Sequence, residues 1–293
     1  MRILITGGRG FIGSHLGNRL VELGHDVIGC DNGINPCSQP LNFECIDHQA
    51  KHWRDFSKID AVFHLAAWIN VDESIAMPDE YLYNNSVETT ELLLNVRKTN
   101  DRCKVIYASS AEVYGNARHQ VMDEGHPLDP LSPYAVSKLA AEQMCKNFAQ
   151  LYGMDVTVIR NFNTFGPYQR GGQYGGVIAK FKAQAKKGEA ITVYGSGEQM
   201  RDYMYIDQAV AGYVLALEAQ LPTIVNFGSG VPVRIIDIAN HIAKKFNAKV
   251  VHLKARPNEI MRLQADVSRA KQYGYRIETD FWKHLDTFLE YES

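Results

Sequence analysis

The chain has 293 residues, 45% of them hydrophobic and 22% charged, with a formal net charge of −2. That length suits one large α/β domain or two interleaved lobes, and the composition excludes disordered, collagenous and small disulfide-rich proteins. With 31 basic residues against 33 acidic ones, no cationic field draws the chain to nucleic acid or to an acidic membrane surface, so neither partner is expected. No apolar run approaches the roughly 20 residues that span a bilayer. Met1-Arg2-Ile3-Leu4-Ile5 runs straight into a strand pattern without a signal-peptide layout. Cys30, Cys37, Cys45, Cys103 and Cys145 form an odd set with no C-x-x-C pair. Reduced thiols in a cytoplasm are therefore expected, rather than a disulfide framework or a zinc site.

In chain order, residues 2–6, 26–31, 61–65, 104–109 and 155–161 read as strands, mostly as continuous apolar runs. Continuous runs are what a parallel sheet covered on both faces requires. Between them, residues 13–23, 81–99 and 134–152 carry apolar residues at helical spacing. Strand–helix repetition of this kind predicts right-handed crossovers and a doubly wound parallel sheet. After Phe165-Gly166-Pro167 the pattern becomes shorter and less regular. A glycine-rich loop occupies 170–176, helices are predicted over 177–187 and 235–246, and Gly195-Ser196-Gly197 punctuates the stretch between them. This part predicts a second, smaller α/β lobe. It is interleaved with the first, because 224–227 again reads as a buried strand. The expected division is 1–166 for the first lobe and 167–293 for the second, with about 206–228 returning to the first.

Gly7-Gly8-Arg9-Gly10-Phe11-Ile12-Gly13 follows the first strand directly and opens a helix. Glycines at 7, 10 and 13 allow a tight turn and bring the backbone close to a pyrophosphate at a helix N-terminus. Asp31 ends the next strand, 18 residues beyond Gly13. Its carboxylate suits an adenosine ribose and repels a 2′-phosphate, which favours NAD over NADP. Arg9 points the other way, since a guanidinium in this loop can reach such a phosphate. Asp47 reads equally as an acceptor for the adenine amino group or as a solvated loop aspartate. His64 reads as a packed strand histidine, and the small residues that follow it let a backbone pass close to a cofactor.

Tyr134 and Lys138 are four apart on a predicted helix that begins after Ser132-Pro133, so both face one way. An adjacent ammonium and a cationic nicotinamide both favour the phenolate, so the tyrosine pKa is expected to fall below its usual value of about 10. The strand 104–109 delivers Ser109-Ser110-Ala111-Glu112-Val113-Tyr114-Gly115 at its carboxyl end, where ligands bind in an open parallel sheet. Ser110 can bond the oxygen that Tyr134 deprotonates. Glu112 reads either as a cleft carboxylate or as an ordinary loop charge.

Taken together, these residues resemble the extended short-chain dehydrogenase/reductase superfamily, specifically its NAD-dependent nucleotide-sugar epimerases and dehydratases. The likeness runs through Met1–Asn32, His64–Ser74, Asn84-Asn85, Ser109–Gly115, Tyr134–Lys138, Asn161–Pro167, Arg201–Asp207 and Arg256–Asp266. It is nearest to the UDP-glucose/UDP-galactose 4-epimerase branch. It implies a Rossmann lobe holding NAD through Gly7, Gly10, Phe11, Ile12, Asp31, Asn32, Asp47, Leu65, Ala66, Ala67, Asn85 and Ser109, with Tyr134 and Lys138. It also implies catalysis by Tyr134, Lys138, Ser110 and Glu112, and a UDP-sugar held by Ser110, Glu112, Asn163, Arg201, Arg256 and Glu259. Each arginine also reads as a surface salt bridge.

Two departures bear on the reaction. Ile69 stands where the 4-epimerases often have a lysine. Glu112 resembles the glutamate of sugar 4,6-dehydratases and glucuronate decarboxylases, but Ala111 replaces the aspartate that precedes it in the dTDP-glucose dehydratases. The resemblance thus favours 4-epimerisation of a UDP-hexose. A dehydratase or decarboxylase using Glu112 is the alternative, and a dinucleotide-sensing regulator or a plain reductase stands further off. It also implies a homodimer built through helices near 86–99 and 134–152. Leu263 and the loop 170–176 are expected near the sugar.

Overall fold

The computed structural model describes residues 1–34, 36–49, 52–171, 176–256 and 259–292. Strands β1 (Arg2–Thr6), β2 (Asp26–Asp31), β3 (Glu44–Asp47), β4 (Ala61–His64), β5 (Lys104–Ser110), β6 (Val156–Asn161) and β10 (Ile224–Phe227) form one sheet. Its order is β10-β6-β5-β4-β1-β2-β3, parallel throughout. The order reverses between β1 and β4, and the crevice outside the strands' carboxyl ends at such a reversal is where ligands bind.

The strands are continuously apolar because their two faces feed two cores. Ile3, Ile5, Phe63, Ile106 and Ile159 face one core. It is covered by Leu16 and Leu20 of α1 (Phe11–Glu22) and by Ala209 and Tyr213 of α7 (Ile206–Glu218). Leu4, Val62, Val105, Tyr107 and Val158 face the other core, covered by α4 (Glu88–Thr99) and α5 (Pro133–Tyr152).

The helix expected over 81–99 is interrupted. After α2 (Val71–Ala76) and the proline-started α3 (Pro78–Leu82), a π-helical turn spans Tyr83–Val87 before α4 begins. Such insertions mark functional sites, and this one carries Asn85 into the interior.

In the second half, β9 (Met200–Tyr205) pairs with β7 (Asn163–Phe165) and antiparallel with β11 (Pro232–Arg234). β8 (Ile191–Tyr194) pairs with β12 (Val250–Leu253). Helices α6 (Val177–Lys186), α8 (Ile235–Phe246), α9 (Ser268–Gln272) and α10 (Phe281–Glu290) complete the chain. Their apolar residues join the first core, α7 packs on α1, and β10 extends the main sheet beside β6. No helix among the described residues is long and apolar enough to cross a membrane.

Candidate active site

Gly7 leaves β1 at φ +73, a conformation open to glycine, and a Cβ there would stand 2.9 Å from the Ala66 amide nitrogen. A Cβ on Gly13 would overlap the Gly7 carbonyl. Gly10 caps α1 without a side-chain hydrogen bond, and the first turn, which holds Phe11 and Ile12, carries no acid. The first amides of α1 are therefore available to an anion. Asp31 fixes the loop from the end of β2: its carboxylate accepts the Arg9 N–H at 3.0 Å and the Gly33 N–H at 2.9 Å. Further lone pairs remain for a ribose diol. The Arg9 side chain is drawn to β3 instead, donating to the Cys45 carbonyl at 2.8 Å and lying 3.6 Å from an Asp47 oxygen. Asn32 is exposed and caps its own turn at Ile34. This cradle fits a dinucleotide diphosphate and an adenosine ribose.

Beyond β4, the Ala66 amide donates to Thr6 Oγ1, and the backbone of Leu65 and Ala66 passes against Gly7. Asn85 clamps the next residue, accepting the Trp68 N–H at 2.8 Å and donating to the Trp68 carbonyl at 2.9 Å and to Ser137 at 3.0 Å. Asn85 thus rivets this loop to α5. His64 is buried between Thr6 and Thr89, and burial lowers its pKa to about 3, so it stays neutral.

Ser132 caps α5 by accepting the Ala135 N–H, with Pro133 in the first turn. That places Tyr134 and Lys138 on the face turned to β5, 9% and 3% exposed. Burial pushes the Tyr134 phenol up to about 12, against the influence of the nearby Ser110 hydroxyl and assisted by the Glu112 charge. Burial also draws the Lys138 ammonium down to about 7, against Cys145 and Glu142. Ser110 accepts the Glu112 N–H. The Glu112 carboxyl is raised by burial, with Arg201 opposing and Glu259 reinforcing. Ser109 turns away from this group and donates to the buried Glu142 at 2.9 Å, so only its backbone faces the cleft.

Near enough to Glu112 to act on its charge, Arg201 donates to Glu259 at 2.8 Å and to the Ile260 carbonyl at 2.6 Å. Asn163 donates to the Asp202 carbonyl at 3.3 Å. Arg256 lies farther out, bonded to Asp72 at 2.9 Å and over the Tyr194 ring. Leu263 is a core residue, 1% exposed, and residues 172–175 of the loop 170–176 lie outside the described residues.

Three groups escape a sequence reading. Asp202 is fully buried and accepts from the Ser229 amide and hydroxyl and from the Gly230 and Ala265 amides, which locks the strand carrying Arg201. The Tyr203 hydroxyl is buried with no partner among the described residues, close enough to Arg201 and Glu259 to feel their charge. Arg160, on β6, forms a buried pair with Glu142 and donates to Tyr114, whose hydroxyl donates to Asn226. A charged residue within an apolar strand run was the available signal, since such a residue needs a buried partner.

Comparison with known proteins agrees with this geometry. A family model described as the NAD dependent epimerase/dehydratase family matches residues 3–228. The chain is 29% identical to the UDP-glucose 4-epimerase of Thermotoga maritima solved with UDP-glucose, covering 99% of this chain and 98% of that one, with a TM-score of 0.93. It is 32% identical to the structure of an NAD-dependent NDP-hexosamine 5,6-dehydratase of tunicamycin biosynthesis, over 99% and 97% of the two chains, again with a TM-score of 0.93. It is 33% identical to the UDP-N-acetyl-alpha-D-glucosaminuronate decarboxylase of Bacillus cytotoxicus, over 92% of this chain and 91% of the relative. The chain is therefore an enzyme of the NAD-dependent epimerase/dehydratase family, an extended short-chain dehydrogenase/reductase whose cofactor is NAD.

Proposed function

We propose that the protein is a nucleotide-sugar 4-epimerase acting on a UDP-hexose. The observation that carries this reading is the buried Tyr134 at the start of α5, close enough to Ser110 at the carboxyl end of β5 for that hydroxyl to favour its phenolate, with the non-ionisable Ala111 beside Glu112. This supports a base acting on the hydroxyl at carbon 4, without a neighbouring acid to expel the hydroxyl at carbon 6. When bound, NAD supplies the hydride acceptor and donor and a positive charge beside the phenol.

Tyr134 takes the proton from the carbon-4 hydroxyl, Ser110 holds the oxygen, and Lys138 orients the ribose side of the site. The sugar becomes a 4-ketone. The diphosphate stays anchored by Arg201, Arg256 and Asn163, and Glu259 holds the nucleotide ribose. The ketone turns within the pocket and regains hydride on its other face, with the proton returned by Tyr134. Gly7, Gly10, Phe11, Ile12, Asp31, Asn32 and Asp47 form the adenosine side of the NAD site. Leu65, Ala66, Ala67 and the Ser109 backbone form its nicotinamide side, with Asn85 holding their loop. Exposed Leu82, Tyr83, Val87, Val136, Leu151 and Tyr152 on the α3–α5 face support a homodimer. Five free thiols support a cytoplasmic setting.

A second reading, 4,6-dehydration or decarboxylation, is favoured by one observation: Glu112 is a half-buried residue whose carboxyl pKa is raised by desolvation, suited to abstracting a proton at carbon 5. The purified protein, given UDP-glucose, UDP-N-acetylglucosamine, UDP-glucuronate, dTDP-glucose and GDP-mannose, should interconvert a UDP-hexose with its carbon-4 epimer. A stable 4-keto-6-deoxy product, or carbon dioxide from UDP-glucuronate, overturns that assignment.

A further inference from the structure

Both arginines proposed to hold the diphosphate are already held by carboxylates of the chain itself, in two different ways. The Arg201–Glu259 pair is largely enclosed, with side chains 12% and 21% exposed. The Arg256–Asp72 pair is open, at 41% and 61%. It joins α2, just beyond the nicotinamide side of the cradle, to the segment after β12, 184 residues away. Asp72 does not by itself define where Arg256 sits. The β8–β12 pairing sets Leu253 beside Tyr194, and the guanidinium lies 4.1 Å from the centroid of that ring. One guanidinium nitrogen donates to Asp72, which leaves other donors of the fork available.

We propose that Asp72 is an internal stand-in for the substrate's diphosphate, occupying Arg256 until a nucleotide sugar displaces it. The inference rests on the proposed role of Arg256 as a diphosphate ligand. The exchange is physically easy in one direction. An exposed ion pair contributes little, whereas a diphosphate brings more charge and can engage the guanidinium through two parallel hydrogen bonds. A carboxylate that stayed at 2.9 Å would repel the incoming anion, so Asp72 must release Arg256 as the diphosphate arrives. The Tyr194 ring keeps the guanidinium in place through the exchange. Asp72 is therefore a residue that tunes affinity by competition, not one that builds the site.

The test is calorimetric titration of UDP, or of dTDP or GDP where UDP does not bind, into the NAD-loaded protein, for the wild type, Asp72→Asn, Arg256→Ala and the double variant. Asp72→Asn should bind UDP about two- to fivefold more tightly, the range expected from relieving an exposed ion pair. Arg256→Ala should weaken binding, and adding Asp72→Asn to it should change nothing further. Unchanged or weaker binding by Asp72→Asn, while Arg256→Ala still loses affinity, overturns the stand-in and leaves the diphosphate role of Arg256 intact. If the wild type binds none of UDP, dTDP and GDP, or if Arg256→Ala binds as the wild type does, the reading of the site fails and the stand-in fails with it.

Discussion

The Lys138 ammonium lies 4.5 Å from the centroid of the Tyr107 ring, at a position 3% exposed. Burial there lowers its pKa from 10.5 to about 7. Between about pH 7 and 10.5 the unfolded chain holds a proton that the folded chain lacks. Stability from this group is therefore fully present above 10.5 and is lost as pH falls toward 7, by an amount on the order of a few kcal/mol. Lys138→Met removes that penalty. Thermal or urea unfolding without NAD should show the variant gaining most over the wild type below pH 7, with the gain shrinking as pH rises, while turnover is lost. A gain that does not vary with pH would contradict the buried-ammonium account.

Tyr134 begins from the unfavourable side, its phenol raised to about 12 by burial. A positive charge brought next to it should pull that value down. Subtracting the alkaline absorbance titration of Tyr134→Phe from that of the wild type isolates this phenolate. Its midpoint should drop when the protein is loaded with NAD. The same variant should lose about a hundred- to ten-thousandfold in kcat while still retaining NAD, as removal of a general base does. An unmoved midpoint would argue against Tyr134 as the base.

Glu112 separates the two proposed reactions. If it only orients the sugar, Glu112→Gln, which keeps shape and hydrogen bonding, should lower epimerase turnover by no more than about tenfold. The loss expected for a true acid or base is about a hundredfold or more. Because the Glu112 carboxyl is raised by burial, the acid limb of the wild-type pH profile should lie above the ordinary carboxylate range and should disappear in the variant. A total loss of turnover with NADH accumulating would move the assignment to dehydration or decarboxylation.

The parts of the site that lie along the chain were legible in the sequence. The glycine turn, Asp31 and the Tyr134–Lys138 pair depend on spacing within one strand–turn–helix unit, and local spacing survives folding. Charge partnerships across the fold were not legible. Nothing near Arg256 names Asp72, and nothing near Ser109 shows that its hydroxyl would turn to Glu142. The burial that raises the Tyr134 pKa was not legible for the same reason: pattern supplies neighbours, whereas desolvation is set by everything packed around the ring. In the second half, β7, β8, β9, β11 and β12 are three to six residues long, too short for a period to emerge. Helix α7 is apolar on nearly every side because it packs on the main sheet, on α1 beside it and on β7 and β9, so its stripe disappears.

The Glu142–Arg160 pair gives the sharpest stability test. Its side chains are 0% and 2% exposed, and Arg160 also donates to Tyr114 and to the Glu124 carbonyl. Glu142→Gln keeps the volume but strands a buried guanidinium, a change that costs about 3–5 kcal/mol. It also weakens the anchor on Ser109 at the end of β5. Replacing both partners with methionine removes the stranded charge, so the double variant should recover much of that loss, as buried pairs replaced by apolar residues do. Denaturant unfolding of the wild type, the single variant and the double variant reads this directly. Turnover should follow a different order from stability. The double variant should fold well yet stay slow, because Ser109 still lacks its acceptor and the strand end that presents Ser110 to Tyr134 is no longer fixed. A double variant as active as the wild type would show that this network supports the fold alone.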